Sequence, residues 1–224
     1  MSLMPGPSRP GTQASELTRR APARRVFFRP HPGRSPLDVR RRRGTSSAMI
    51  ETARLRLRSW NEADREAFAA LHAAPAVMQD YGGPIARAES DAKLVRYMAT
   101  FARTGFCRWA IETRQGAFLG YAGLMPSAAD QPLGAHVDIG WRLRRAAWDR
   151  GYASEAAAAA LGDAFARIGL HEVLAYSAPD NARSQAVKTR LALRRDPARD
   201  FTITYDGIGQ WRGLVWLARL ESAC

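Results

Sequence analysis

Polar and apolar residues alternate strictly at Arg54-Leu55-Arg56-Leu57-Arg58, the period of a half-buried strand, and this is the first regular pattern in the chain. Asn61 follows, with Asp64 three residues on. That is the spacing of a helix start, and Phe68 and Leu71 form the apolar face of the helix it opens. A second helix is predicted over 89–104, because Leu94, Tyr97, Met98 and Phe101 fall at i, i+3, i+4 and i+7 and Gly105 stands where such a helix stops. Three strand-like runs come next, near 107–113, 117–125 and 135–143, joined by a short turn at Gly116 and then by a loop of Pro, Ala and Asp.

Beyond the third run an alanine-rich helix is predicted to about Ile168, closed by Gly169-Leu170. Val173 to Tyr176 reads as a short buried strand, and Asn181 or its neighbours open a helix to about Leu193. Phe201-Ile203-Tyr205 and Trp211-Leu214-Trp216 suggest two closing antiparallel strands. The order β-α-α-β-β-β-α-β-α-β-β predicts an α+β fold around one mixed sheet, with no internal repeat.

Residues 1–48 show no such pattern. They are rich in Pro, Gly, Ser and Arg, with brief apolar pieces such as Val26-Phe27-Phe28. Such a stretch buries too little surface to offset its ordering entropy, so a disordered basic arm is expected ahead of a domain over 49–224. The arm holds eleven arginines against Glu16 and Asp38, which is +9 of the chain's +13, so the basicity belongs mainly to the arm. It reads as an upstream extension with Met49 the true start, as a solvated tail, or as a transit peptide or nucleic-acid arm. The only lysines are Lys93 and Lys188, so part of the arginine excess reflects coding composition.

A chain of 224 residues, 46% hydrophobic, has enough material for one well-buried domain. No apolar run approaches the ~20 residues that span a bilayer, and the N-terminus lacks the apolar core of a secretory signal. Cys107 and Cys224 are far apart, without Cys-x-x-Cys spacing or a histidine cluster, so they read as free thiols and no metal is expected. A soluble, cytoplasmic protein is the expectation.

The chemistry concentrates in Asp138-Ile139-Gly140-Trp141-Arg142-Leu143, then Trp148-Asp149-Arg150-Gly151-Tyr152-Ala153-Ser154-Glu155-Ala156. A strand leads into a loop, Gly151 marks a close backbone approach, and a helix begins at once. Its first turn offers unpaired N–H groups and a partial positive charge, which suit a diphosphate, and Arg150, with Arg144 or Arg145, can add charge-assisted contacts. The stretch lacks the Gly-x-x-x-x-Gly-Lys of a P-loop and the Gly-x-Gly-x-x-Gly of a dinucleotide fold.

Together with Asn181-Ala182-Arg183-Ser184, these motifs resemble, in order, the GNAT superfamily of N-acetyltransferases, in particular its branch similar to ribosomal-protein-alanine N-acetyltransferases. The likeness runs from about Ile50 to Leu220. It implies a mixed central sheet of about seven strands flanked by about four helices, with acetyl-CoA as co-substrate. It also implies that the backbone amides of Arg150, Gly151, Tyr152, Ala153 and Ser154 cradle the CoA diphosphate. By the same resemblance the strand edge at Trp141, Arg142 and Leu143 pairs with the pantetheine arm, Asn181 hydrogen-bonds that arm, and Ser184 lies near the sulfur. The partner is an amine acceptor, a protein N-terminus or a small molecule; no membrane is involved, and a homodimer is admitted.

The chain departs from the branch at four places. Asp149 stands where Gly is usual, Asp138 where Glu is usual and Leu191-Ala192 where Leu-Gly is usual, and Ile203 and Gly213 occupy positions that often hold histidines. Core packing is the favoured reading for the side chains of Trp141 and Trp148, and a helix cap stands even with the cofactor role for Asn181.

An amine must be neutral to attack a thioester, and an α-amine (pKa ~7.8) needs less help than a lysine amine (~10.4). Asp138 and His136 share one strand face, opposite Ile139 and Trp141. Asp138 is the candidate catalytic base, directly or through water, and a strand N–H the candidate oxyanion donor. His136 can assist instead, or is a plain strand residue. Three functions follow: N-acetylation of a primary amine, acyl-CoA binding without catalysis, and nucleic-acid binding through the arm.

Overall fold

The computed structural model describes residues 49–205 and 209–219, so the expected arm over 1–48 lies outside the described residues. The chain opens with β1 (Met49–Glu51) and β2 (Leu55–Arg58), followed by α1 (Arg65–Ala73), α2 (Pro75–Met78) and α3 (Arg87–Thr104). The strands β3 (Arg108–Thr113), β4 (Phe118–Ser127) and β5 (His136–Leu143) come next, then α4 (Tyr152–Asp163) and β6 (Glu172–Ser177). α5 (Ala182–Arg190), β7 (Arg194–Arg195), β8 (Phe201–Tyr205) and β9 (Gly209–Arg219) complete the described residues.

The mixed α+β sheet is as expected but larger, with nine strands and five α-helices among the described residues rather than about seven and four. Its order is β1-β2-β3-β4-β5-β6-β9-β7, with β8 pairing β9. All pairings are antiparallel except β5 with β6. The additional pieces β1, α2 and β7 are two to four residues long, too short to display a period. They form where the tertiary frame supplies a partner: β1 pairs along β2, and β7 pairs with β9.

The two faces of the sheet carry different layers. On one side Leu57, Trp109, Ile111, Leu124, Val137 and Ile139 pack under α4. Ala156, Ala157 and Ala160 are fully buried there, so the alanine-rich sequence of α4 is what lets its backbone lie close to the strands. On the other side Trp60, Phe68, Leu71, Leu94, Tyr97 and Tyr121 join α1 and α3 to the sheet. The expected cap at Asn61 is a full capping box with Asp64, and Gly105 ends α3 in a left-handed conformation at φ 78°.

Two non-glycine residues also adopt left-handed backbone, Asp149 (φ 60°) and Ala192 (φ 55°). They are two positions at which the resembled branch has glycine. α5 stops at Arg190, short of the expected Leu193, because Ala192 turns the chain and the N–H of Leu193 donates back to Lys188 O at 3.1 Å. A left-handed L-residue costs ~1–2 kcal/mol and glycine does not. Ala192→Gly is therefore expected to raise Tm by a few degrees, at ~2–4 °C per kcal/mol for a domain of this size, in a thermal melt; an unchanged or lower Tm would show that the turn is unstrained.

Lys188 is 1% exposed, with its Nζ 2.5 Å from Ser177 Oγ and 3.9 Å from the ring centroid of Trp216. Burial, with help from Arg195, pushes its amine down from the ordinary lysine range to about 7. Between about pH 7 and ~10.4 the unfolded chain binds a proton at this site that the folded chain excludes, so stability rises with pH across that window. Lys188→Met should flatten this rise in urea denaturation from pH 7 to 10. An unchanged slope would assign the pH dependence elsewhere.

Candidate active site

The parallel strands β5 and β6 share a single registered pair, Asp138 with Leu174. On its far side β5 stays fully paired with β4, from Ser127–His136 to Gly120–Leu143, while β6 is paired along its length with β9. The sheet is thus two halves joined at one point. Among the described residues no strand pairs with the edge of β5 that faces β6 from Ile139 to Leu143, and such an edge accepts an extended, amide-bearing chain. Trp141, Arg142 and Leu143 lie on this edge; the Trp141 ring packs into the core under α4, leaving its backbone for the cleft.

α4 starts beside the opening. Gly151 precedes it with φ 76°, and the first bond of its ladder runs from Glu155 N to Gly151 O at 3.1 Å. The N–H groups of Tyr152, Ala153 and Ser154 therefore precede the ladder, and the Ser154 Oγ is buried without a partner among the described residues. An orphaned hydroxyl beside free amides at a helix N-terminus fits an anionic group such as a diphosphate. Asp149, the acid next to this turn, is exposed.

Arg54, read from sequence as one polar position of a strand, organises this turn. Its Nε lies 2.6 Å from Glu155 Oε2, its Nη1 donates to Arg150 O at 2.9 Å, and its guanidinium covers the Tyr152 ring at 4.7 Å. Thr52 Oγ1 and the Arg54 N–H hold the other Glu155 oxygen, at 2.6 and 3.0 Å. The carboxylate nearest the helix start is thereby tied to the turn between β1 and β2. Burial opposes ionisation of Glu155, but the bonds from Thr52, then from the Arg54 side chain and amide, together hold its carboxyl below the ordinary range.

Side chains around the opening link the halves. Asp80, after α2, bonds Arg142 Nη1 of β5 at 2.9 Å and receives Asn181 Nδ2 at 3.3 Å, while Asn181 Oδ1 caps α5 through Ser184 N at 3.0 Å. Trp148 lies between the guanidiniums of Arg145, 4.7 Å from its ring, and Arg183 of α5, 4.5 Å away, and its Nε1 donates to Leu143 O at 2.8 Å. Asn181 is thus both a cap and a cleft residue, and Ser184 stands half-buried on the first turn it caps.

At the joint itself, Asp138 has a partner that spacing did not suggest. Arg108 of β3 reaches across β4, forming an ion pair with the Asp138 carboxylate and donating to Asp138 O at 3.0 Å and to Gly123 O. Their side chains are 11% and 8% exposed. Gly140 leaves the space for this, since a Cβ there would stand 2.9 Å from the guanidinium. His136 lies on the same face of β5, and its Nδ1 is 2.7 Å from Gly134 O.

Residues 54–194 match a family described as "Acetyltransferase (GNAT) domain". The chain belongs to the GNAT acetyltransferase family. Acetyl transfer to an amine is the general activity of that family. A structure of an acetyltransferase from Agrobacterium tumefaciens str. C58 is 25% identical, with a TM-score of 0.65, covering 80% of this chain and 99% of that one. A structure named RimL, a ribosomal L7/L12 α-N-protein acetyltransferase in complex with coenzyme A, shares the fold at 17% identity, with a TM-score of 0.61 and coverage of 78% and 99%. Among curated proteins, the uncharacterized N-acetyltransferase YnaD of Bacillus subtilis (strain 168) is 38% identical over 65 residues, which span 29% of this chain and 38% of that relative.

Among the described residues of this GNAT domain no group of three or more His, Cys, Asp or Glu is placed to hold a metal ion, and no helix is long and apolar enough to cross a membrane. The residues expected from sequence to bind the cofactor or act in catalysis lie on β5, in the turn before α4 or on its first turn, and at the start of α5. Sequence reasoning missed Arg54, Asp80 and Arg108, which organise that opening from elements remote in the chain. If Arg54 sets the diphosphate turn, Arg54→Gln should weaken CoA binding about tenfold by calorimetry, while Arg56→Gln, two residues on and paired with Glu51 of β1, leaves it within twofold. Equal affinities in the two variants would remove Arg54 from the site.

Proposed function

We propose that this chain is an acetyl-CoA-dependent N-acetyltransferase that moves the acetyl group to a primary amine, a protein α-amine or a small-molecule amine, by direct attack on the thioester. The observation that carries the reading is the single Asp138–Leu174 pair, which leaves a strand edge and a helix N-terminus facing one opening. Acetyl-CoA supplies the activated acyl group. The amides of Arg150 to Ser154 take its diphosphate, the edge at Trp141 to Leu143 and the Asn181 amide take the pantetheine arm, and Ser184 protonates or solvates the departing sulfur. Family membership and the name of the RimL neighbour support an α-amine acceptor.

Asp138 acts in this reading through position. Its ion pair with Arg108 ties β3 to β5 at the joint of the two halves, which fixes the backbone N–H groups that receive the developing oxyanion. The same pair favours a second reading, an acyl-CoA-binding protein without catalysis, because it removes the one carboxylate of this strand face from direct use.

Thiol release from acetyl-CoA over a panel of amines separates the two. Amine-dependent release supports the transferase; tight acetyl-CoA binding with no release for any amine supports the binding protein. Asp138→Asn tests the role of the pair. Leaving Arg108 buried beside a neutral partner should cost about 3 kcal/mol and lower Tm by roughly 6–12 °C. A variant with unchanged Tm but turnover reduced ~10²-fold or more would make Asp138 a reacting group instead.

A further inference from the structure

Directly behind the joint lies a group that the reading above leaves unused. The Nδ1 of His136 faces the carbonyl oxygen of Gly134 at 2.7 Å. A carbonyl only accepts, so Nδ1 carries the hydrogen, and in the neutral ring Nε2 carries the lone pair. The residue is 8% exposed, and its Nε2 is buried with no hydrogen-bond partner among the described residues. A buried, unpaired acceptor of this kind is uncommon and calls for a ligand or a water.

The space for one is present. A cavity of about 30 Å³ is lined by His136 together with Gln131 and Leu133 of the β4–β5 loop, Tyr176 of β6, and Phe201 and Ile203 of β8. That volume suits a single water. Aromatic rings wall it, with His136 and Tyr176 centroids 6.1 Å apart and Tyr176 and Phe201 5.5 Å apart. His136 shares the face of β5 that carries Asp138, two residues from the Asp138–Leu174 pair that registers β5 with β6. The charged groups on the surrounding elements have partners: Asp138 with Arg108, Glu172 with Arg199 and Arg219, and Asp200 with Arg195, while Asp130 is exposed on the loop.

We propose that His136, and not Asp138, is the proton acceptor of the acetyl transfer, working through one water held in this cavity. The inference rests on the transferase reading. The arriving ammonium gives one proton through the water to Nε2 and becomes a neutral amine. The amine nitrogen then forms a C–N bond to the acetyl carbonyl carbon and the C–S bond breaks. The second nitrogen proton ends on the departing sulfur, giving the amide and free CoA thiol, and His136 returns its proton to solvent.

His136→Asn tests this, since the Asn amide can still donate to Gly134 O while the Nε2 lone pair is gone. With an acceptor identified by the amine panel, kcat/KM at pH 7 should fall about 100-fold, within the range of general-base assistance, with acetyl-CoA affinity within twofold of wild type. The acid limb of the pH–kcat/KM profile should move to higher pH, and the loss should shrink as free amine accumulates. Should the Asn variant melt early, His136→Ala with added imidazole supplies the second measurement, and imidazole-dependent recovery of rate supports the proposal. Rates within threefold and coincident pH profiles would overturn it and leave the transferase intact. A wild-type protein that binds acetyl-CoA and transfers to no amine would overturn the function and this role together.

Discussion

The organisation of the molecule depends on one interrupted strand pairing. If β5 and β6 continued side by side beyond Asp138 and Leu174, the sheet would be closed and would offer neither a free edge nor a cleft. Because β5 is fully held by β4 and β6 by β9, the interruption exposes backbone without loosening either half. The helix that follows β5 must then start at the mouth of the opening, which brings its unpaired amides to the same place as the free edge. In the proposed reading, the diphosphate and the amide-bearing arm meet complementary backbone at adjacent positions, with little demand on side-chain identity.

Keeping such a split sheet in register falls to arginine. Arg54 joins the turn before β2 to the start of α4, Arg108 joins β3 to β5 beneath β4, and Arg142 joins β5 to the segment after α2, which in turn reaches Asn181 at the start of α5. A planar guanidinium with five donors can bind a carboxylate and a carbonyl at once, and each of these three does so. A lysine would supply charge without that fork. The two lysines in the chain serve otherwise: Lys93 lies 4.5 Å from the Tyr81 ring and Lys188 is buried over Trp216.

Much of the frame was legible because its elements are long enough to show a period. The 18 residues of α3 and the runs of β3 to β5 announce themselves by which positions are apolar, and α4 by its alanines. α2, β1 and β7 do not, since each is too short to be stable or recognisable without the surfaces it rests on. In the site, alternation placed Asp138 and His136 on one face, and the strand-to-helix junction located the anion turn. What alternation cannot express is a partner 30 or 101 residues distant, so Arg108 for Asp138 and Arg54 for Glu155 were invisible. Asp149 and Ala192 mark a middle case: both depart from glycine in the resembled branch, and both keep the left-handed backbone that glycine would adopt freely.

The charge on the open face bears on which amine it can serve. Burial, Lys93 and Arg142 together push His72 of α1 down to about 3, so the side of the sheet that carries α1 and α3 is a poor place for another cation. Arg142 borders the cleft itself and Arg108 lies at the joint. Each of these guanidiniums is offset by a carboxylate, Arg108 by Asp138 and Arg142 by Asp80, so exclusion of water rather than net charge is what disfavours an ammonium there. An α-amine, with pKa ~7.8, needs only a small displacement to be mostly neutral at pH 7, whereas a lysine amine at ~10.4 needs more than three pH units. In the proposed reading the weaker base is therefore the better match, because less of its protonation has to be reversed before it can attack the thioester.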